Sequence, residues 1–176
     1  TTDGLAVYAA GIAAAPVGEA NLDNTPFLIF TVDSLSRRMD TDAFLPLFTE
    51  WEAVLEQGLF LLPIDENGLV YNDVQNPHSP YGFTDTIGKT GTLYMESLLY
   101  WRACRMMEHM CKTYGVGNPD HFAESAESVE RSLPLLFDPA AGAFYAATKD
   151  CHQYDIWGMA YMLYIGFPCS AAVSYT

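Results

Sequence analysis

Apolar residues recur at three- and four-residue spacing over 42–62, at Phe44, Leu47, Phe48, Trp51, Val54, Leu55, Leu59 and Leu62. That spacing predicts one amphipathic helix, with Glu50, Glu52 and Glu56 on its opposite face and Pro46 tolerated in its first turn. Residues 91–114 repeat the pattern at Leu93, Ser97, Tyr100, Trp101, Cys104, Met107, Cys111 and Tyr114. Thr90 or Thr92 would cap the start of that helix, and Gly115 would stop it. A third stripe runs over 120–137 through Phe122, Ala126, Val129, Leu133 and Phe137, with Glu124, Glu127, Glu130 and Arg131 outside. Residues 27–39 and 154–167 are helical by length and largely apolar around their circumference. Residues 5–15, uncharged and rich in alanine, would make a sixth helix. No strand of sheet-building length alternates, so the expected class is all-α, a single domain of antiparallel helical hairpins over 1–176.

The helices differ in character. Those opening near residues 26, 91 and 155 are aromatic-rich and poor in charge, whereas those opening near 42 and 119 carry an acidic outer face. Apolar-all-round next to amphipathic reads as inner next to outer. Each outer helix leads into a similar stub, Asp65-Glu66-Asn67-Gly68-Leu69-Val70-Tyr71 and then Asp138-Pro139-Ala140-Ala141-Gly142-Ala143-Phe144-Tyr145. In both, Asp opens a turn, Gly supplies a positive φ and two apolar residues lead to Tyr. An acidic residue precedes or opens each inner helix, and Asp23, Asp85 and Asp155 recur at intervals of 62 and 70 residues.

Composition narrows the partners. Eight Lys and Arg against 22 Asp and Glu give a formal charge of −14, which offers no counterion-releasing surface to nucleic acid or anionic lipid. No charged residue follows Asp155, but Gly158, Gly166, Pro168, Ser170 and Ser174 interrupt the stretch and no basic residue flanks it. A helix buried on all sides is therefore expected there in place of a membrane span. Cys104 and Cys111 would lie roughly 10 Å apart along one helix, too far for a disulfide, and Cys151 and Cys169 show no metal spacing. Free thiols are expected. Six of the seven methionines, Met95, Met106, Met107, Met110, Met159 and Met162, fall on helix stripes as core filler. The chain opens Thr1-Thr2-Asp3 with no basic segment ahead of its alanine-rich stretch, and reads as a processed or excised piece.

Candidate chemistry concentrates in 72–90, a long polar and aromatic connection of the kind that carries function. It holds the carboxylates Asp73 and Asp85, with Asn72, His78 and Lys89 as hydrogen-bonding partners and Tyr81 and Phe83 as flat apolar faces. Such a set suits a neutral, hydroxylated ligand. Gly82 through Gly88-Lys89-Thr90 is no phosphate loop, because five residues separate the glycines where four are required and no strand precedes them. His78 and His152 stand far apart without supporting ligands, so no metal and no cofactor is expected. For Asp23, Asp85 and Asp155, a structural role at a helix N-terminus competes evenly with a functional one.

Tyr81-Gly82-Phe83-Thr84-Asp85-Thr86, then Lys89-Thr90-Gly91, Ser97-Leu98-Leu99-Tyr100, the Asp-turn-Gly stub and Tyr154-Asp155-Ile156-Trp157-Gly158 resemble the six-hairpin glycosidase superfamily. This superfamily includes the glucoamylase, trehalase and debranching-type glycoside hydrolases. The resemblance covers roughly residues 20–167. It implies an (α/α)6 toroid with a sugar funnel at the loop end and inverting hydrolysis by two carboxyl groups roughly 6.5–9.5 Å apart. Asp73 and Asp85 are then the candidate acid and base. Asp23, Asn24, His78, Lys89, Tyr154 and Asp155 would hold sugar hydroxyls, and Tyr81, Phe83 and Trp157 would stack on the ring. Met159 follows the Trp-Gly pair where a smaller residue is usual, which narrows the pocket. Five or six helices amount to about half a toroid. The implied partners are a carbohydrate substrate and, to complete the ring, the remainder of the toroid or a second copy. Two other readings stand beside hydrolysis. One is a non-catalytic helical-repeat module binding protein or carbohydrate. The other is a sugar epimerase or isomerase, less supported because only His78 and His152 could serve as its acid and base.

Overall fold

The computed structural model describes residues 9–10, 15–16, 21–78 and 88–168. Among them are five α-helices, α1 (Asn24–Ser36), α2 (Thr41–Phe60), α3 (Tyr94–Tyr114), α4 (Pro119–Ser132) and α5 (Ile156–Ile165). Six two-residue strands pair antiparallel: β1 (Ala9–Ala10) with β2 (Ala15–Pro16), β3 (Tyr71–Asn72) with β4 (Gly91–Thr92), and β5 (Phe137–Asp138) with β6 (Ala143–Phe144). The fold is all-α, built of helical hairpins. The β1–β2 pairing corrects the expected sixth helix over 5–15, where Gly11 and Pro16 disfavour helix.

The centre of the packing is α3. It touches α1, α5, α2 and α4, and its Tyr94, Leu98, Leu99, Ala103, Cys104, Met107 and Met110 are fully buried. α1 packs against α2 as well as against α3. The helix runs to Gly115, whose φ of 66° closes its C-terminus. Its N-terminus differs from expectation. Neither threonine caps it, because the segment is spent in pairing: Thr90 Oγ1 donates to Asp150 Oδ2 (2.6 Å), Thr92 Oγ1 to Asp65 Oδ2 (2.7 Å), and Leu93 occupies the cap position. The 120–137 stripe ends its α-helical part at Ser132 and tightens into a 3-10 turn over Leu133–Leu136 at Pro134.

Both stubs fold as turns. Asp65 Oδ1 accepts from the amides of Asn67 (2.8 Å) and Leu69 (3.0 Å), with Gly68 at φ 84°. Asp138 Oδ1 accepts from Ala140 (2.9 Å), with Gly142 at φ 65°.

Four burial expectations are corrected. Glu52 is buried beneath Gly117, and burial, with Glu56 adding to it, raises its carboxyl above the usual range. Val54 is 63 % exposed and lines, with Leu28, Val32, Trp51 and Leu55, a mostly apolar cavity of about 470 Å³ between α1 and α2. The last helix is covered on one side only: Gly158 and Met162 are buried while Ile156, Trp157, Leu163 and Tyr164 face outward. Likewise α1 exposes Phe27, Leu28 and Leu35. No helix among the described residues is long and apolar enough to cross a membrane. Cys104, Cys111 and Cys151 are free thiols; burial pushes the Cys111 thiol up to about 12, and Cys169 lies outside the described residues.

Candidate functional site

The segments that lead into α3 and α5 are bonded side by side. Thr148 N donates to Thr92 O (3.1 Å), Lys149 N to Thr90 O (3.0 Å), and Tyr94 N to Ala146 O (3.1 Å). Gly91, at φ 85°, permits this approach, since a Cβ there would run into the Thr148 hydroxyl. Backbone pairing of this kind fixes the N-termini of α3 and α5 relative to each other.

A second device anchors the root of the 72–90 connection. Asn72 is fully buried, and its amide nitrogen donates to His78 O (2.9 Å) and Lys89 O (2.7 Å) while its oxygen accepts from His78 N (2.8 Å). One side chain thus satisfies three backbone groups that burial would otherwise leave unpaired.

Behind this clip lies the most charged part of the interior. Asp23, Lys89 and Asp155, all three proposed from sequence as hydroxyl ligands, are buried and act electrostatically on Glu96 in the first turn of α3. The Lys89 ammonium stands 3.6 Å from Glu96 Oε1. Glu96 is only 2 % exposed, and neither of its carboxylate oxygens has a hydrogen-bond partner among the described residues. Burial raises its carboxyl to about 7; the Lys89 ammonium opposes the rise, and Asp155 and Asp23 add to it. Asp155 caps α5: its Oδ1 accepts from Gly158 N (2.8 Å), while its Oδ2 has no hydrogen-bond partner among the described residues. Gly158 lies so close to the Tyr94 ring and to Asp155 that a side chain there would collide with both. Glu96 thus pairs with one ammonium while two further carboxyl groups act on it, and Glu96 Oε1, Glu96 Oε2 and Asp155 Oδ2 remain without a hydrogen-bond partner among the described residues. Such a cluster can take up a proton or accept from O–H and N–H donors.

Glu96 was not among the residues singled out from sequence. Its signal was its spacing, three residues after Leu93 and four before Tyr100, which puts an acid on the buried stripe.

The remaining candidates are dispersed. Asp73 is exposed and closes a turn, its Oδ1 accepting from Gln75 N (2.7 Å) and Asn76 N (3.4 Å). Asn24 opens α1, one residue after Asp23, and His78 is half-buried with its backbone held by Asn72. Tyr154, rather than pointing a free hydroxyl outward, donates to Asp138 Oδ2 (2.7 Å), as does Tyr145 (2.9 Å). Those phenols hold the Asp138 carboxyl below the usual range, and the carboxylate in turn raises Tyr154. Tyr145 stacks on His152 (3.9 Å between ring centroids) and on Tyr154 (5.1 Å). Trp157 is 84 % exposed on α5. Tyr81, Phe83 and Asp85 lie outside the described residues. Among the described residues no group of three or more His, Cys, Asp and Glu is arranged to hold a metal ion.

This arrangement of helices has a known counterpart. The chain is similar in structure to a GH78-family rhamnosidase of Bacillus sp. GL1, with a TM-score of 0.69 at 15 % identity over 89 % of this chain. The likeness is one of fold. The match spans 17 % of the rhamnosidase chain. No family model matches the sequence, and no curated protein matches it.

Proposed function

We propose that this chain binds a neutral saccharide at the loop end of its inner helices and serves as part of a glycoside hydrolase. The observation that carries the reading is the buried pair of Lys89 and Glu96 beside Asp155, where Glu96 Oε1, Glu96 Oε2 and Asp155 Oδ2 have no hydrogen-bond partner among the described residues. Hydroxyl groups of a sugar are donors of the kind such a site lacks. The fold likeness to a segment of a rhamnosidase supports the same direction and makes α-rhamnosides the first probes.

In this reading Asp73 and Asp85 are the acid and base. One protonates the glycosidic oxygen, and the other activates a water across a gap of roughly 6.5–9.5 Å, giving inversion. The turn that fixes Asp73 through two backbone amides would hold its carboxylate ready at low entropic cost. Turnover of aryl α-rhamnosides and α-glucosides tests the assignment. Asp73→Asn and Asp85→Asn should each lower it by on the order of 10²–10⁴-fold. Wild-type turnover in both variants would remove both residues from the mechanism.

A specific observation favours a second reading, a helical module that packs against other protein. Ile156, Trp157, Leu163 and Tyr164 present an exposed apolar face on α5. That reading expects binding without turnover, abolished by Trp157→Ser and Tyr164→Ser and untouched by Asp73→Asn.

A further inference from the structure

The function above makes no use of Glu96 as anything but an acceptor, yet its surroundings are unlike those of any other carboxylate in the described chain. It sits in the interior on α3, beside Lys89 ahead of β4, with Asp23 ahead of α1 and Asp155 at the cap of α5 acting on it. These are the charged groups that act on it from the elements around it. Ionised, Glu96 would be a buried negative charge with one ammonium 3.6 Å away and two further carboxyl groups acting on it, a state that interiors avoid by taking up a proton.

We propose that Glu96 is the positioning residue of this cluster: ionised, it draws the Lys89 ammonium inward, and protonated, it releases Lys89 from the pairing. The proton comes from solvent and is bound by one carboxyl group, so no other reactant is needed. The Lys89 ammonium so released is one of the groups proposed to hold saccharide hydroxyls, and the inference rests on that reading only for this consequence. The raised ionisation of Glu96, to about 7, places the change near neutrality.

The test follows the side-chain carbons of Glu96 and Lys89 by 13C NMR across pH 4–9 in the whole chain. The Glu96 carboxyl should titrate near pH 7, and the Lys89 Cε resonance should move with the same midpoint. In Glu96→Gln the Lys89 response near neutrality should vanish. In Lys89→Met the Glu96 midpoint should rise by about one pH unit or more, because its counter-charge is gone. A Glu96 midpoint in the ordinary carboxylate range overturns the proposal, and so does a Lys89 signal that ignores Glu96. The wild-type titration alone decides the first point if a variant fails to fold. None of these readouts involves sugar, so loss of the hydrolase reading would leave them standing, and their failure would leave that reading intact.

Discussion

The Lys89 ammonium lies 3.6 Å from Glu96 Oε1, and both side chains are more than nine-tenths buried. A pair so placed stabilises little by itself, but breaking it strands a charge in the interior. Lys89→Met should therefore cost about 3 kcal/mol near pH 8 and much less near pH 5, where Glu96 is protonated. Denaturant unfolding at the two pH values checks this. An equal loss at both would mean that Lys89 acts through its hydrocarbon stem alone.

Glu96 also gives stability its own pH dependence. Its carboxyl is raised in the folded chain from the ordinary 4.5 to about 7, so the folded state binds the proton more tightly. The associated stability is present below about pH 4.5 and is lost as pH rises through 7. Glu96→Gln, which stays neutral, should be close to wild type at pH 5 and more stable than wild type at pH 8. Parallel unfolding midpoints across that window would contradict the assignment.

Asn72 joins three backbone groups with one buried amide. Asn72→Ala should cost about 3 kcal/mol, since the carbonyls of His78 and Lys89 lose their donor. Asn72→Asp should rescue little: a carboxylate can accept from His78 N but can donate to neither carbonyl. Hydrogen exchange at the His78 amide reads the result, with protection lost in Asn72→Ala.

Gly158 meets the Tyr94 ring, where an added Cβ would stand 2.6 Å from its nearest atom. Alanine is favoured over glycine in a helix by about 1 kcal/mol, yet the collision outweighs that gain. Gly158→Ala should destabilise the chain by roughly 1–3 kcal/mol. Thermal unfolding with near-ultraviolet circular dichroism, which reports the Tyr94 packing, measures it.

Asp138 accepts from two phenols, Tyr145 and Tyr154. Asp138→Asn should bring the Tyr154 phenol back toward its ordinary value of 10.0. A 13C-tyrosine titration checks the shift, and an unchanged Tyr154 would show that the hydrogen bond does not govern its ionisation.

The helices were legible because their stripes are long and their stops are chemical. Gly115 and the paired Asp-turn-Gly stubs could be placed from sequence alone. The burial of single residues was less legible. Glu52 read as an outer-face acid, yet a glycine at 117 leaves room for it inside; Trp157 read as part of a buried helix, yet only Gly158 and Met162 of its helix turn fully inward. At the site, Asp23, Lys89 and Asp155 were named from sequence and meet around Glu96. Glu96 itself was passed over because an acid among apolar residues carries no motif, and its role depends on a lysine seven residues earlier that backbone pairing brings back onto it. Tyr154 was read as a sugar ligand, but the position of Asp138 in the preceding turn, which engages its hydroxyl, is a matter of tertiary folding.

The most direct measurement is backbone-amide NMR on the whole chain during titration with rhamnosides and neutral oligosaccharides. Saturable shifts are expected at Asp23, Asn24, Lys89, Glu96 and Asp155, with the residues lining the α1–α2 cavity, Leu28, Trp51 and Val54, left unmoved. Saturable shifts confined to that cavity, or no shifts from any saccharide in a folded sample, would contradict the proposed saccharide binding.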